Sequence, residues 1–437
     1  MKCTFSSILG GLLALSVCLV ACQQEAVEDP YAGQQVFVKS YPPTDYNVYD
    51  FFKIAYSKMG IDMESTLAPI LQKFGMDQIV VRMIPIDYKT VDPAGREQIA
   101  SGIVLYPTNQ KARGVIDVMP FGYMQNTIGG SDYGIGPEHA LAFMNYIVIS
   151  PDFLDSGTSK RAHTDIPLGD DAPGNDIYHP FIDMESSGRV AYDMHIAAAQ
   201  FLKQELGMEL SKTISIFGYS EGATDALALH RWIDKYDKSG IRIDHTFSGG
   251  GAHDLMAAFE VLRQKKTQYY SVAPFIMYSA DFWNSSFALD YNKIFNPDGP
   301  LLDTTSPSYF RHLLNREYGF WPTIKDYLGQ DLTYYMNEAF FQEWDADNEF
   351  HKVLPYMMRN NPSADPDWKP SGTIHLFHAQ SDKHIPDVCS TSAFNALKAK
   401  GANVIYELCP DFIDADDPHS DGGVRFFVSC CGYFAIK

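Results

Sequence analysis

The stretch Thr213 to Leu227, "TISIFGYSEGATDAL", places Ser220 between Gly218 and Gly222 where an apolar run meets a helical one. Glycine is a poor way to open a helix, because it has the most backbone freedom to lose. Two of them around a serine mark a turn too tight for neighbouring Cβ atoms. Such a turn would lift the Ser220 hydroxyl above the end of a strand, in position to attack a carbonyl. A serine hydroxyl is a weak nucleophile at neutral pH, so it needs a histidine base and a carboxylate to orient that base.

A Gly-x-Ser-x-Gly string in a strand–turn–helix setting is the nucleophile elbow of the α/β-hydrolase fold, in which the acid and then the histidine follow the serine along the chain. That order prunes the 13 histidines. In "TIHLFHAQSDKHIPD" an apolar strand precedes a loop bearing Asp382, and in "DDPHSDGGVRFFV" His419 opens the last helical segment. Ser220, Asp382 and His419 are the expected nucleophile, orienting acid and base. His378 and His384 flank Asp382, on a loop expected to lie on the wrong side of the serine. His253, in "GGGAHDL", precedes any suitable acid and is expected to shape the pocket or sit in the core. Asp411, Asp414, Asp416, Asp417 and Asp421 crowd the His419 loop, but their spacing matches no EF-hand, and they are read as turn residues.

The developing oxyanion needs two backbone N–H donors. One is expected from Glu221. The other should come from "VMPFGYMQNTIGG", where Phe121-Gly122 and Gln125-Asn126-Thr127 are alternative placements and Tyr123 is the chosen donor.

Short apolar runs at 78–86, 101–107, 114–121, 146–153, 213–220, 243–250, 372–380 and 402–408 alternate with helical segments at 187–206, 223–236 and 392–400. On the first helix Val190, Met194, Ala197, Phe201 and Leu202 share one face at helical spacing. The alternation predicts an α/β fold with a mainly parallel central sheet flanked by helices. Residues 256–365 break the rhythm. There, 23 of 110 residues are Phe, Tyr or Trp, against 14% aromatic in the whole chain, and the pieces look helical. A largely helical, aromatic-rich cap insertion over the sheet is expected, most of its aromatics being core.

Residues 1–21 resemble an export signal. Lys2 is followed by an apolar run from Ile8 to Val20 and the small residue Ala21. "LVAC" resembles a bacterial lipobox, which makes Cys22 the expected lipid attachment site. The expected organisation is a signal peptide at 1–21, a tether at 22–45, a hydrolase core at 46–255 and 366–437, and the cap at 256–365. Removing residues 1–21 takes away Lys2 alone, moving the formal charge from −20 to −21. That acidity argues against nucleic acid and against broad contact with anionic lipid. Cys389, Cys409, Cys430 and Cys431 gather near the C-terminus. An oxidising envelope permits disulfides, and spacing alone leaves their pairing open. With no Cys-x-x-Cys pair and no His-Glu-x-x-His helix, a zinc site is not expected.

"SGIVLYP", "YIVISPDFLDSGTSK", "GYSEGA", "HAQSDKHIPD" and "DPHSDGG" together resemble α/β-hydrolase lipoproteins, and more loosely secretory lipases and prolyl-oligopeptidase-type hydrolases. The resemblance spans roughly 100–255 and 370–437; the cap has no counterpart in it. It implies a serine hydrolase that works through an acyl-enzyme, without cofactor, on a small ester, anchored by lipid in a bacterial envelope. A serine peptidase or amidase and a non-catalytic surface binding lipoprotein are the alternatives. Cys22→Ser in the full precursor is expected to move the protein from the membrane to the soluble fraction, because the acyl chains supply the stable attachment; fractionation and blotting read this out.

Overall fold

Val115–Met119, Ile147–Phe153 and Thr213–Tyr219 are apolar almost throughout, which suits strands covered on both faces. They form the middle of a ten-stranded sheet. The computed structural model describes residues 34–57, 76–122, 130–133, 135–159, 178–284, 286–306, 308–314, 321–411 and 415–436. The expected signal, Cys22, Tyr123 and Asp414 lie outside them.

The strands are β1 (Phe37–Ser40), β2 (Thr44–Asn47), β3 (Val80–Val91), β4 (Glu97–Pro107), β5 (Val115–Met119), β6 (Ile147–Phe153), β7 (Thr213–Tyr219), β8 (Arg242–Gly249), β9 (Thr373–Ala379) and β10 (Asn403–Cys409). Their order is β1-β3-β4-β6-β5-β7-β8-β9-β10, with β2 also on β3. From β6 to β10 every pairing is parallel. The other end is antiparallel: the runs expected at 78–86 and 101–107 are two long partners in register from Val81–Pro107 to Val91–Glu97. Phe37–Ser40 and Thr44–Asn47 also pair with β3. β1 and the first two residues of β2 therefore fall in the latter part of the segment expected to be tether. Short, half-polar strands at a sheet edge carry little periodic signal, which hides them in the sequence.

Helices cover both faces. Met184–Leu206 opens at Asp183, whose side chain accepts from the Ser186 N–H at 3.1 Å, and closes at Gly207 with φ 64°. It is tied to the sheet by His195, whose Nδ1 lies 2.9 Å from an Asp117 carboxylate oxygen on β5. On the opposite face the final helix, Pro418–Ile436, lays Phe426 on Phe217 of β7, ring centroids 5.4 Å apart and nearly parallel. Phe217, Phe247 and Phe377 from three adjacent parallel strands share one core with Phe426 and Phe434.

Between β8 and β9 the chain leaves the sheet for a run of helices and turns that includes Leu255–Lys265, Ala273–Trp283 and Leu354–Arg359. This region has its own core, including Phe259, Phe275, Phe295, Phe310, Tyr335 and Phe350. Its aromatic richness is mainly the filling of that core. Residues Gln35–Lys437 form one compact unit. Cys389, Cys409, Cys430 and Cys431 are free thiols.

Phe426→Ala removes a ring buried between the sheet and the final helix. It should lower unfolding stability by about 3–5 kcal/mol, the usual cost of emptying such a site, as measured by urea denaturation.

Candidate active site

Ser220 has φ 60° and ψ −124°, a conformation that L-residues rarely adopt. Such backbone costs about 1–3 kcal/mol and persists only where its surroundings enforce it. Here the turn from β7 into the helix Glu221–Tyr236 is clamped by close approach. A Cβ on Gly218 would overlap the Gly222 carbonyl, and one on Gly222 would overlap the carbonyl oxygen of Met119 at the end of β5. The Ser220 N–H donates to the Gly249 carbonyl at 2.9 Å, which pins the turn to β8. Both glycines are therefore required by contacts, as the sequence reading anticipated from the pattern.

The structure brings Ser220, His419 and Asp382 together. His419 Nε2 lies 2.9 Å from Ser220 Oγ, and His419 Nδ1 lies 2.6 Å from Asp382 Oδ2. The other carboxylate oxygen, Oδ1, accepts from the backbone N–H groups of His384 at 2.7 Å and Ile385 at 3.0 Å. Burial works to raise the Asp382 pKa, but the facing His419 and His378 rings outweigh it and hold the carboxyl well below the usual range. Burial likewise works to lower the His419 pKa, and the Asp382 charge more than offsets it, so the imidazole titrates above the ordinary 6.5.

Residues beyond the three hold this arrangement. The Tyr219 hydroxyl donates to the His419 carbonyl, and its ring lies 5.2 Å from the imidazole. His378, fully buried, places Nε2 2.9 Å from the Ile385 carbonyl and 3.4 Å from Asp382 Oδ2, with Ser390 Oγ 2.7 Å from its Nδ1. It stands behind the acid. Lys383 donates to the Ala415 carbonyl at 2.9 Å and Tyr270 to Asp417 at 2.8 Å, tying the His419 loop to the acid loop and to the inserted region. Asp417 is thus more than a solvated turn residue. Tyr219, next to the serine in sequence, was within reach of a motif-based search; Lys383 and Tyr270 carried no such signal.

His384 does come close, its ring edge-on to His419 at 4.9 Å, but its pKa is lowered to about 3 by burial and then by His419. His253 is fully buried with Nε2 3.1 Å from Ser248 Oγ; of its two expected roles it takes the core one. Glu221 is the first residue of its helix, where an N–H has no intrahelical acceptor. Gly122 borders the same cleft, and Tyr123 follows it outside the described residues.

That cleft, with Ser220 in its wall, holds about 510 Å³ of non-atom space, open solvent included. Leu255, Ala258, Phe259 and Leu262 repeat at helical spacing along one wall, and Val272 and Ile276 face it from the next helix. Phe181, Ile182, Ile385 and Pro386 complete a largely apolar lining, with Ser220, Glu221, Gln268 and His384 as polar exceptions.

A mostly parallel sheet with a strained serine turn after β7, an acid loop after β9 and a histidine opening the final helix is the α/β-hydrolase fold, and this chain has it. Among solved structures, the rice cell wall degrading esterase LipA from Xanthomonas oryzae aligns over 92% of this chain and 97% of its own, with TM-score 0.66 and 17% identity. A single-residue variant of that esterase aligns over 90% and 97%, with TM-score 0.68 and 17% identity. Lipase A from Candida antarctica aligns over 76% and 72%, with TM-score 0.50 and 14% identity. No protein-family model matches the chain, and no curated protein matches it in sequence.

Because the His419 pKa is raised, the imidazole beside Ser220 is protonated as pH falls through a value above 6.5. The rate of Ser220 modification by a fluorophosphonate should drop along that limb. In Asp382→Asn the limb should move to lower pH, since the offsetting charge is gone, while the plateau falls by on the order of 10⁴, as when the acid of a serine protease is amidated.

Proposed function

We propose that this protein is a carboxylic ester hydrolase that works through an acyl-enzyme, with Ser220 as nucleophile, His419 as general base and acid, and Asp382 as the orienting carboxylate. The single observation that carries the reading is the continuous contact from Asp382 through His419 to Ser220, which lines a largely apolar cleft. In this reading His419 Nε2 takes the proton as Ser220 Oγ adds to the ester carbonyl. Asp382 keeps the ring in the tautomer that leaves Nε2 free to accept. The negative oxygen of the tetrahedral intermediate is met by the Glu221 N–H and by a second backbone donor from the loop after β5, for which Tyr123 remains the choice; each such donor is worth about 10²–10³ in turnover. His419 then gives its proton to the departing alkoxide, and water repeats the sequence on the acyl-enzyme.

The esterase and lipase character of the structural neighbours supports ester chemistry. The lining of the cleft supports an apolar acyl group beside Ser220. Lipid attachment at Cys22, and with it a place in a bacterial envelope, is supported by the "LVAC" stretch after an apolar run.

Ser220→Ala should fold as the native chain does and neither label with a fluorophosphonate nor hydrolyse p-nitrophenyl esters. Labelling of that variant at the native rate would overturn the assignment. Across acyl esters of graded length, kcat/KM should rise about fourfold per methylene while the chain still fits, from ~0.8 kcal/mol per buried CH₂. Ala258→Phe, which fills the cleft, should erase that gain for longer chains and spare acetyl esters; an unchanged length profile would place the acyl group elsewhere.

A further inference from the structure

The residue after the serine is a glutamate, an odd choice on electrostatic grounds. Its backbone N–H is proposed to meet a forming negative oxygen, and a carboxylate nearby opposes that charge. The Glu221 side chain is nevertheless buried, and it borders the cleft.

Two contacts explain its placement. His179 Nε2 lies 2.9 Å from Glu221 Oε1, and both side chains are largely out of solvent. His179 comes from the segment leading into the helix Met184–Leu206, its ring contacting Phe153 at 6.0 Å and Phe181 at 6.3 Å. On the other side, Gly122 packs directly on the same carboxylate, since a Cβ there would overlap Glu221 Oε2. Gly122 belongs to the loop after β5, which is where the second oxyanion donor is sought. One carboxylate thus joins the serine turn, the oxyanion loop and the lead-in to the long helix. Asp225, one turn further along, is fully buried; burial first, and then the Glu221 charge, push its carboxyl well above the usual range.

We propose that His179 and Glu221 are a positioning pair: the ring N–H fixes the carboxylate, and the carboxylate sets where Gly122 stands against the start of the helix, and so how the Glu221 N–H is presented to the oxyanion. This rests on the ester hydrolase reading above. The pair acts on the transition state, because the Glu221 N–H matters most once the oxygen becomes negative, so its loss lowers kcat and leaves KM nearly in place.

The test compares the native enzyme with His179→Ala, His179→Gln, Glu221→Ala and the double alanine variant. It uses kcat and KM on a p-nitrophenyl ester, affinity for an alkylboronic acid whose serine adduct carries an anionic oxygen, and thermal unfolding. His179→Ala should lower kcat by about tenfold or more, short of the full loss of a donor, with KM within about twofold. Boronate affinity should fall in parallel. His179→Gln, which can still present an N–H to the carboxylate, should recover most of the loss. The double variant should be no worse than the poorer single, as for residues that act as a unit. Native kcat in His179→Ala overturns the proposal. So does a rise in KM at constant kcat, which would make the pair a substrate contact, and so does a loss that follows the melting temperature and is not recovered by glutamine. If the native enzyme itself neither turns over esters nor labels at Ser220, the hydrolase reading falls and takes this inference with it.

Discussion

The backbone of Ser220 is held at φ 60° against its own preference, and much of the site is arranged around that turn. The strain is local, while the forces that hold it come from further away. β5 presses from one side through the Met119 carbonyl, β8 holds the serine N–H through Gly249, and the helix beginning at Glu221 closes back on Gly218. Relaxing the turn would require separating the central strands of the sheet, where Ile116, Ile216 and Thr246 are fully buried. A strain of a few kcal/mol is small beside the burial that those strands share. The same turn leads straight into a helix whose first N–H, that of Glu221, has no intrahelical acceptor, so Ser220 and that N–H are neighbours by construction.

Asp382 illustrates the second requirement, that a buried charge be fully engaged. A carboxylate out of water is costly unless its lone pairs are met. Here two backbone N–H groups take one oxygen, and His419 takes the other with His378 nearby. The acid loop in turn is fastened to the base loop through Lys383 and Ala415, and Tyr219 reaches across to the His419 carbonyl. Orientation of the imidazole is thus shared among the serine strand, the acid loop and the final helix. None of them alone would keep Nε2 at hydrogen-bond distance from Ser220.

The inserted helices answer a different need. The ends of the parallel strands offer a floor but no walls. The helix Leu255–Lys265, which follows β8, has one buried apolar face, and Leu255, Ala258, Phe259 and Leu262 on it both line the cleft and belong to the insertion's core. Changes in that core would therefore be felt in the shape of the cleft.

Sequence alone determined the parts whose cause is local. The glycines at 218 and 222 are demanded by a turn that spans five residues, and the alternation of apolar runs with helical faces marks the parallel half of the sheet. Asp382 and His419 could be singled out because each follows a strand whose apolar pattern is plain and because chain order leaves few rivals. The two short edge strands near the N-terminus were missed, since four half-polar residues pair only because β3 lies beside them. Tertiary structure alone decided the contacts between segments remote in the chain. Tyr219 and the His419 carbonyl are 200 residues apart, and His179 and Glu221 are 42. No periodicity encodes such a meeting: a side chain's type is written in the sequence, but its partner is chosen by how the whole sheet and its helices pack.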